Sequence, residues 1–250
     1  MLPHAVVLLD GATSLEPTTR DGGWYAEHLA QRLRRLLEDQ PEADLAQLLG
    51  SAIAEVAAEH GLAPGNSPSS TAAVLRWNGH AVEALVLADS PVVAFTTDGV
   101  RVLADDRLAE LPTRRRPGYR ARLRDGGGYG EGHREALRAA SAEVGSWRNR
   151  EGGFWVAEAD PSAAYQAVRA SWPREHVRSV LMASDGVSCG VEEYGILPDW
   201  TDLLDLTLAR GPHAVLDAVW EAEESDPDGL RWPRAKRHDD QSLVLVRFDS

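Results

Sequence analysis

The apolar residues of this chain fall into short runs that are bounded by turn residues. Each run has the length of a β-strand, so each is predicted to be one. The runs cover residues 4–9, 71–77, 81–88, 91–97, 100–103, 155–159, 177–184 and 242–248. Asn78–Gly79 and Asp98–Gly99 separate neighbouring runs, and both dipeptides favour hairpin turns. The pattern predicts antiparallel strands, with a meander over residues 71–103.

Other segments repeat apolar residues with the period of a helix. They are residues 26–40, 45–61, 199–209 and 212–224. In the first, Leu29, Leu33 and Leu37 share one face, and Pro41 ends the pattern. A further helix is predicted to begin at Asp160–Pro161, because proline is favoured in the first turn. The two early helices are predicted to lie as an antiparallel pair on one face of a sheet.

Residues 112–135 interrupt this regular pattern. The segment is polar, holds six arginines between Arg114 and Arg124, and has glycines at positions 126–128, 130 and 132. Polar clusters rich in glycine are typical of loops, so a mobile excursion from the core is predicted. One interpretation is an ordinary solvated loop. The other is a basic flap that receives a phosphorylated substrate.

Acidic residues stand at the ends of several predicted strands. Asp10, Asp89 and Asp185 follow or end apolar runs, and Asp239 precedes the last one. Carboxylates that converge at one end of a sheet repel one another, and a divalent cation with oxygen ligands removes that repulsion. A single Asp-Gly pair most often marks a turn. The four aspartates together favour a metal site.

Composition narrows the classes of function. The chain has 250 residues, of which 43% are apolar, so it can bury a sizeable core. A formal net charge of −13 argues against nucleic acid or an anionic membrane surface as the main partner. The single cysteine, Cys189, excludes an internal disulfide and a cysteine-rich zinc site. Because neither a signal peptide nor a membrane span is recognisable, we expect a cytoplasmic protein.

Five short motifs follow one another along the chain. They are DGAT at 10–13, SSTAAVL at 69–75, LADS at 87–90, MASDGVS at 182–188 and HDDQSLVLV at 238–246. In this order they resemble the DG, STA, GDS, SDG and D[ND]xT motifs of the PPM/PP2C metal-dependent protein phosphatases. The resemblance implies an α+β fold, a four-layer αββα sandwich of two antiparallel sheets flanked by helices. It also implies a single domain over residues 1–250, with residues 112–135 as a flap-like insert.

The same resemblance implies a metal-dependent phosphatase that acts on phosphoserine and phosphothreonine of a protein substrate. Its nucleophile would be a water that bridges two Mn²⁺ or Mg²⁺ ions and attacks phosphorus in line, without a catalytic side chain. The implied ligands are Asp10, the Gly11 carbonyl, Asp185 and Asp239, and Asp89 is a candidate for a third ion. Two alternatives stay open. One is a regulatory or interaction module of this fold with little or no catalysis, and the other is a hydrolase of small phosphate esters.

The chain departs from the family pattern near its beginning. The family carries an acidic segment and a phosphate-binding arginine on a strand before the first aspartate, whereas this sequence begins at the strand of Asp10. The DGxGG motif is split, because its glycine pair stands at Gly22–Gly23. Ala12 replaces the histidine of eukaryotic members. Candidates for the missing phosphate contact are Arg20 and the insert arginines Arg114, Arg115 and Arg116.

Overall fold

Two four-stranded antiparallel sheets form the centre of the molecule. The computed structural model describes residues 2–14, 20–112 and 118–248. The strands are β1 (Ala5–Leu8), β2 (Ala72–Trp77), β3 (Ala81–Leu87), β4 (Val92–Thr96), β5 (Gly99–Leu103), β6 (Val168–Pro173), β7 (Val177–Ala183) and β8 (Leu243–Arg247). One sheet has the order β1-β2-β3-β6 and the other β5-β4-β7-β8. All pairings within them are antiparallel.

The helices are α1 (Gly22–Asp39), α2 (Leu45–His60), α3 (Arg107–Glu110), α4 (Gly118–Arg124), α5 (Glu131–Gly145), α6 (Asp185–Glu192), α7 (Trp200–Arg210) and α8 (His213–Glu224). The pair α1–α2 covers the outer face of the first sheet, and α6, α7 and α8 cover that of the second. Two 3₁₀ segments, Pro161–Gln166 and Arg174–His176, also occur within the described residues. Among the described residues, no helix has the length and apolar character needed to cross a bilayer.

The alternation of side chains along the strands produces three apolar layers. On β2, Val74 packs with Leu29 and Leu49 of the α1–α2 pair. Its neighbours Ala73 and Leu75 point the other way, into the layer between the two sheets. Across the second sheet, the outer face packs against α6, α7 and α8. The predicted four-layer αββα sandwich is confirmed, and the layer between the sheets is its central core.

The predicted meander is wrong between β3 and β4. The chain leaves the first sheet after Leu87 and enters the second at Val92. Ala88 turns the chain there with a positive φ of 67°, and its N–H donates to the Asp105 carboxylate at 3.0 Å. Strands buried on both faces read as continuous apolar runs, so their pattern does not reveal which sheet each joins.

Three further elements differ from the sequence prediction. Residues 155–159 form only an isolated bridge, between Ala157 and Ser70. The helix predicted from Pro161 is a six-residue 3₁₀ segment, and strand β6 follows it after one residue. Helix α6, which begins at Asp185, was not predicted. Edge strand β6 alternates half-buried and exposed residues, so its apolar signal is weak.

The prediction of a loop at residues 112–135 is also wrong for the described part of that segment, which is largely helical. Helix α4 and the first turns of α5 lie there, and both have buried side chains. Leu123 is fully buried, and Tyr119 and His133 are nearly so. Each helix buries a single narrow face, and its arginines lie outside that face. The segment therefore has a polar composition although it is helical. Arg114, Arg115 and Arg116 lie outside the described residues.

Candidate functional site

Four aspartates from separate parts of the chain line one cleft. The cleft has a volume of about 260 Å³, and Asp10, Asp89, Asp185 and Asp239 all contribute to its wall. Asp10 follows β1, Asp89 lies in the crossover from β3 to β4, Asp185 follows β7, and Asp239 precedes β8. The four carboxylates singled out by the sequence are therefore brought to the same cleft, at one end of the paired sheets.

Hydroxyl groups fix the backbone that carries Asp10. The N–H of Asp10 donates to Thr71 Oγ1 at 3.0 Å, and the N–H of Thr71 donates to the Asp10 carbonyl at 2.9 Å. Thr71 Oγ1 also lies 2.8 Å from Ser90 Oγ, so this hydroxyl pair links β2 to the β3–β4 crossover. Ser70 Oγ donates to the same Asp10 carbonyl. The polar residues of the STA and LADS motifs thus connect the segments that carry Asp10 and Asp89.

The two parts of the split DGxGG motif lie next to each other in the fold. Gly11 packs directly against Gly22 at the start of α1, and a Cβ on Gly11 would lie 2.2 Å from the Gly22 carbonyl carbon. A Cβ on Gly22 would in turn lie 2.3 Å from the Ala12 oxygen. Both positions therefore require glycine, because any side chain would collide with backbone. The insertion in the sequence leaves this close approach intact.

A second glycine contact joins Asp185 to Asp239. A Cβ on Gly186 would lie 2.3 Å from the Asp240 carbonyl oxygen. Ser184 reinforces the contact, because its N–H donates to the Ser242 carbonyl and its hydroxyl accepts from the Ser242 N–H, both at 3.0 Å. The SDG and DDQS motifs are therefore two sides of one packed junction, which places the two carboxylates at the cleft.

Crowding of the carboxylates alters their acidity. Burial, together with the charges of Asp239 and Asp89, raises the pKa of Asp10 to about 6. Burial and the neighbouring aspartates also raise the pKa of Asp185 well above its usual range. The carboxyl groups of Asp10 and Asp185 are within hydrogen-bonding reach, so a proton held between them would reduce their repulsion. A cation in the cleft would take over that role.

Lys236 provides a cation at one edge of the cluster. Its ammonium nitrogen lies 2.6 Å from Asp239 Oδ1. Within the described ranges, no three histidine, cysteine, aspartate or glutamate side chains are arranged to hold one ion. The donor set still fits a hard divalent ion, because it consists of oxygen donors whose charges are only partly compensated. Loading would require Asp239 to exchange Lys236 for the ion.

The remaining residues singled out by the sequence lie in different places. Asp240 is exposed, and its N–H donates to Asp239 Oδ1. Arg20 lies over the Trp24 ring and donates to the His60 carbonyl at 2.8 Å, and it is not among the described residues that line the cleft. The insert arginines Arg114, Arg115 and Arg116 fall outside the described residues.

Sequence reasoning missed one wall of the cleft. Tyr119 of α4 and Leu137 and Val144 of α5 line it, followed by Arg148 and Phe154. The hydrophobic spacing of Leu137 and Val144, seven residues apart on α5, was the signal that could have revealed this helix. Arg148 belongs to none of the sequence motifs, so only its position in the fold identifies it as a residue of the cleft.

Comparisons with known proteins support an assignment of the fold, at low sequence identity. A scan of family models finds no match, and a search of curated proteins finds no significant match. Among solved structures, PppA, a regulatory component of the type VI secretion system (T6SS) of Pseudomonas aeruginosa, is similar over 98% of this chain and 86% of its own. Its TM-score is 0.53, at 19% identity.

Two mycobacterial phosphatases are similar as well. PstP/Ppp of Mycobacterium tuberculosis, a serine/threonine phosphatase, has a TM-score of 0.53 at 14% identity, covering 99% of this chain and 89% of its own. MsPP of Mycobacterium smegmatis, a PPM Ser-Thr phosphatase, has a TM-score of 0.51 at 15% identity, covering 99% of both chains. The resemblance found in the motifs is confirmed at the level of architecture, and this chain has the fold of the PPM/PP2C-type serine/threonine phosphatases.

Proposed function

We propose that this protein is a metal-dependent serine/threonine phosphoprotein phosphatase. The observation that carries the proposal is the convergence of Asp10, Asp89, Asp185 and Asp239 on one cleft. The raised pKa values of Asp10 and Asp185 support it, because uncompensated carboxylates of this kind are typical of functional sites. The fold shared with serine/threonine phosphatases supports the choice of reaction.

Asp10, Asp185, Asp239 and the Gly11 carbonyl would hold two Mn²⁺ or Mg²⁺ ions, and Asp89 would serve a third. When bound, these ions would activate a water for attack on phosphorus and neutralise the phosphate oxygens. The chain's own contribution is positional. Thr71 and Ser90 fix the Asp10 backbone, and the Ser184–Ser242 contacts fix the junction of Asp185 with Asp239.

The cleft offers a phosphorylated segment both polar and apolar walls. The aspartates line one side, while Leu137, Val144 and Phe154 form an apolar surface on another. An apolar wall limits the entry of bulk water and gives a peptide something to pack against. We therefore propose a phosphorylated protein as the partner.

The test is phosphate release from p-nitrophenyl phosphate and from a panel of phosphoserine and phosphothreonine peptides. We expect turnover with Mn²⁺ or Mg²⁺, and none in excess EDTA. Alkylation of Cys189 should have no effect, because burial raises the pKa of this thiol to about 12 and keeps it protonated. Undiminished turnover in EDTA would exclude the proposed chemistry.

The Lys236–Asp239 contact favours a second candidate, a regulatory or interaction module with weak or no catalysis. A lysine that neutralises a proposed ligand lowers the affinity of the site for metal. Calorimetric titration with Mn²⁺ separates the two candidates. Binding accompanied by turnover supports the phosphatase, whereas absence of both supports the module.

A further inference from the structure

Arg148 lines the same cleft as the four aspartates. Among the described residues of the cleft wall, it is the one basic side chain. We propose that Arg148 binds the phosphate group of the substrate, an assignment that rests on the proposed phosphatase function. It supplies the contact for which Arg20 and the insert arginines are the candidates suggested by the sequence.

The charge of the cleft makes such a residue necessary. A phosphate monoester carries close to two negative charges and would approach four carboxylates. Metal ions at the aspartates compensate one side of the group, and the oxygens that face away from them need further donors. A guanidinium group offers a planar fork of N–H donors that matches phosphate oxygens. Arg148 follows helix α5 and lines the same cleft as the aspartates.

The backbone around Arg148 is held in a closed loop. The Phe154 N–H donates to the Trp147 carbonyl at 3.1 Å, and the Asn149 N–H donates to the Phe154 carbonyl at 2.8 Å. Asn149 has a positive φ of 47°, and its side chain bonds to both the N–H and the carbonyl of Val156. A conformation that non-glycine residues rarely adopt is thus fixed by several contacts. The loop thus fixes the backbone from which Arg148 extends, as support for a binding residue requires.

The Arg148 side chain is not fully used within the protein. Its Nε is buried and has no hydrogen-bond partner. Its Nη1 lies 3.9 Å from Glu158 Oε2, at the outer limit of an ion pair. Glu158 is served by other donors, since Asn149 Nδ2 lies at 3.1 Å and Ser67 Oγ at 3.4 Å from its carboxylate. A buried donor without a partner is costly in a native structure. Because the Nε is buried in this conformation, the Arg148 side chain would turn into the cleft to donate to a phosphate oxygen.

Titration of inorganic phosphate by calorimetry, in excess Mg²⁺, tests the assignment. We expect Arg148→Gln to weaken phosphate binding by about tenfold or more, because a charge-assisted hydrogen bond is lost. The matched control is Arg150→Gln. Arg150 belongs to the same loop but is exposed and stacks on Trp147, so its loss should leave the affinity unchanged. Equal affinities of wild type and Arg148→Gln, or no binding by the wild type, would overturn the proposal.

A conservative variant covers the case in which Arg148→Gln does not fold. Arg148→Lys keeps a positive charge beside Glu158 but lacks the Nε donor and the fork. We expect it to fold, as judged by an unchanged Tm, and to bind phosphate several-fold more weakly than the wild type. An affinity equal to that of the wild type would show that Arg148 makes no directed contact.

Turnover of p-nitrophenyl phosphate in the same samples separates this assignment from the proposed function. Loss of phosphate contact should appear mainly as a higher KM for Arg148→Gln. If the wild type turns over nothing but its phosphate binding depends on Arg148, the phosphatase proposal fails and the assignment stands. If the wild type and Arg148→Gln turn over the ester with the same KM and bind phosphate with the same affinity, the assignment fails and the phosphatase proposal stands.

Discussion

Lys236 and Asp239 form an ion pair at the edge of the carboxylate cluster, with 2.6 Å between Nζ and Oδ1. Lys236 is the only lysine in the chain, and it lies three residues before the aspartate that it contacts. The charges of Asp239, Asp240 and Asp10 outweigh burial and raise the pKa of Lys236 above its usual range. The lysine is therefore charged at neutral pH and would compete with a metal ion for Asp239 under the proposed function.

Replacing this lysine should strengthen metal binding. We expect Lys236→Met to bind Mn²⁺ about two- to fivefold more tightly, since half-exposed ion pairs contribute at most about 1 kcal/mol. Methionine keeps an unbranched apolar side chain, one heavy atom shorter, and removes the ammonium group with its charge and donors. Calorimetric titration of the metal measures the change.

The neighbouring residue Arg237 offers the matched control. Its guanidinium lies over the Tyr129 ring rather than against Asp239. Arg237→Met removes the same unit of charge from the same loop, so it should leave Mn²⁺ affinity nearly unchanged. Equal gains in both variants would indicate a general effect of net charge and would count against direct competition at Asp239.

The shifted acidity of Asp10 predicts how stability depends on pH without metal. Its pKa rises from 3.8 to about 6 on folding, so the native state holds a proton that the unfolded state has already released. Stability from this group is therefore greatest below about pH 4 and falls as pH rises to about 6. We expect metal-free wild type to lose stability over that window relative to Asp10→Asn. Urea unfolding across pH measures the difference.

Divalent metal should remove this dependence. Bound Mg²⁺ favours the ionised carboxylates, so the loss between pH 4 and 6 should shrink when Mg²⁺ is saturating. Asp10→Asn should gain little from Mg²⁺ at any pH. The contrary result is that the stabilities of the wild type and Asp10→Asn change with pH in parallel, both with and without Mg²⁺. Asp10 would then not be a crowded carboxylate.

The sequence alone was enough to predict a residue's place in the fold where a local pattern determines that place. Asp10 and Asp185 each follow an apolar run and precede glycine, and both lie in the cleft as predicted. The glycines after them are required by backbone contacts with Gly22 and Asp240. Because those contacts are made by backbone atoms, they depend little on the side chains in the rest of the sequence.

The sequence was insufficient where the position depends on long-range packing. Nothing around Ala88 indicates that β3 and β4 belong to different sheets, since both strands are buried on both faces. Arg148 looks like any surface arginine until helix α5 is folded against the cleft. The contact between Lys236 and Asp239 is local, since three residues separate them, but no sequence motif indicates that the two side chains meet.

The close approach at Gly186 should be sensitive to a single added methyl group. Gly186→Ala would place its Cβ 2.3 Å from the Asp240 carbonyl oxygen, so backbone must move. We expect a loss of about 1–3 kcal/mol in the free energy of unfolding, as for other overpacked sites. Mn²⁺ affinity should also fall, because Asp185 and Asp239 separate. The control Gly118→Ala has open space at its Cβ and should leave both quantities nearly unchanged.

The packing of α4 predicts that the insert contributes to the stability of the whole molecule. Leu123 is fully buried, and its Cδ1 would lie 3.2 Å from a Cβ built on Gly229, in the segment between α8 and β8. Leu123→Ala should therefore cost about 2–5 kcal/mol. Exposed Arg124, the next residue of the helix, supplies the control, and Arg124→Ala should change the free energy of unfolding by less than about 0.5 kcal/mol. Urea unfolding followed by tryptophan fluorescence measures both.

If Leu123→Ala unfolds like the wild type while proteases cut residues 118–145 more readily, the insert folds independently of the sandwich. Its helices would then be a separable flap, and their wall of the cleft would be open to rearrangement.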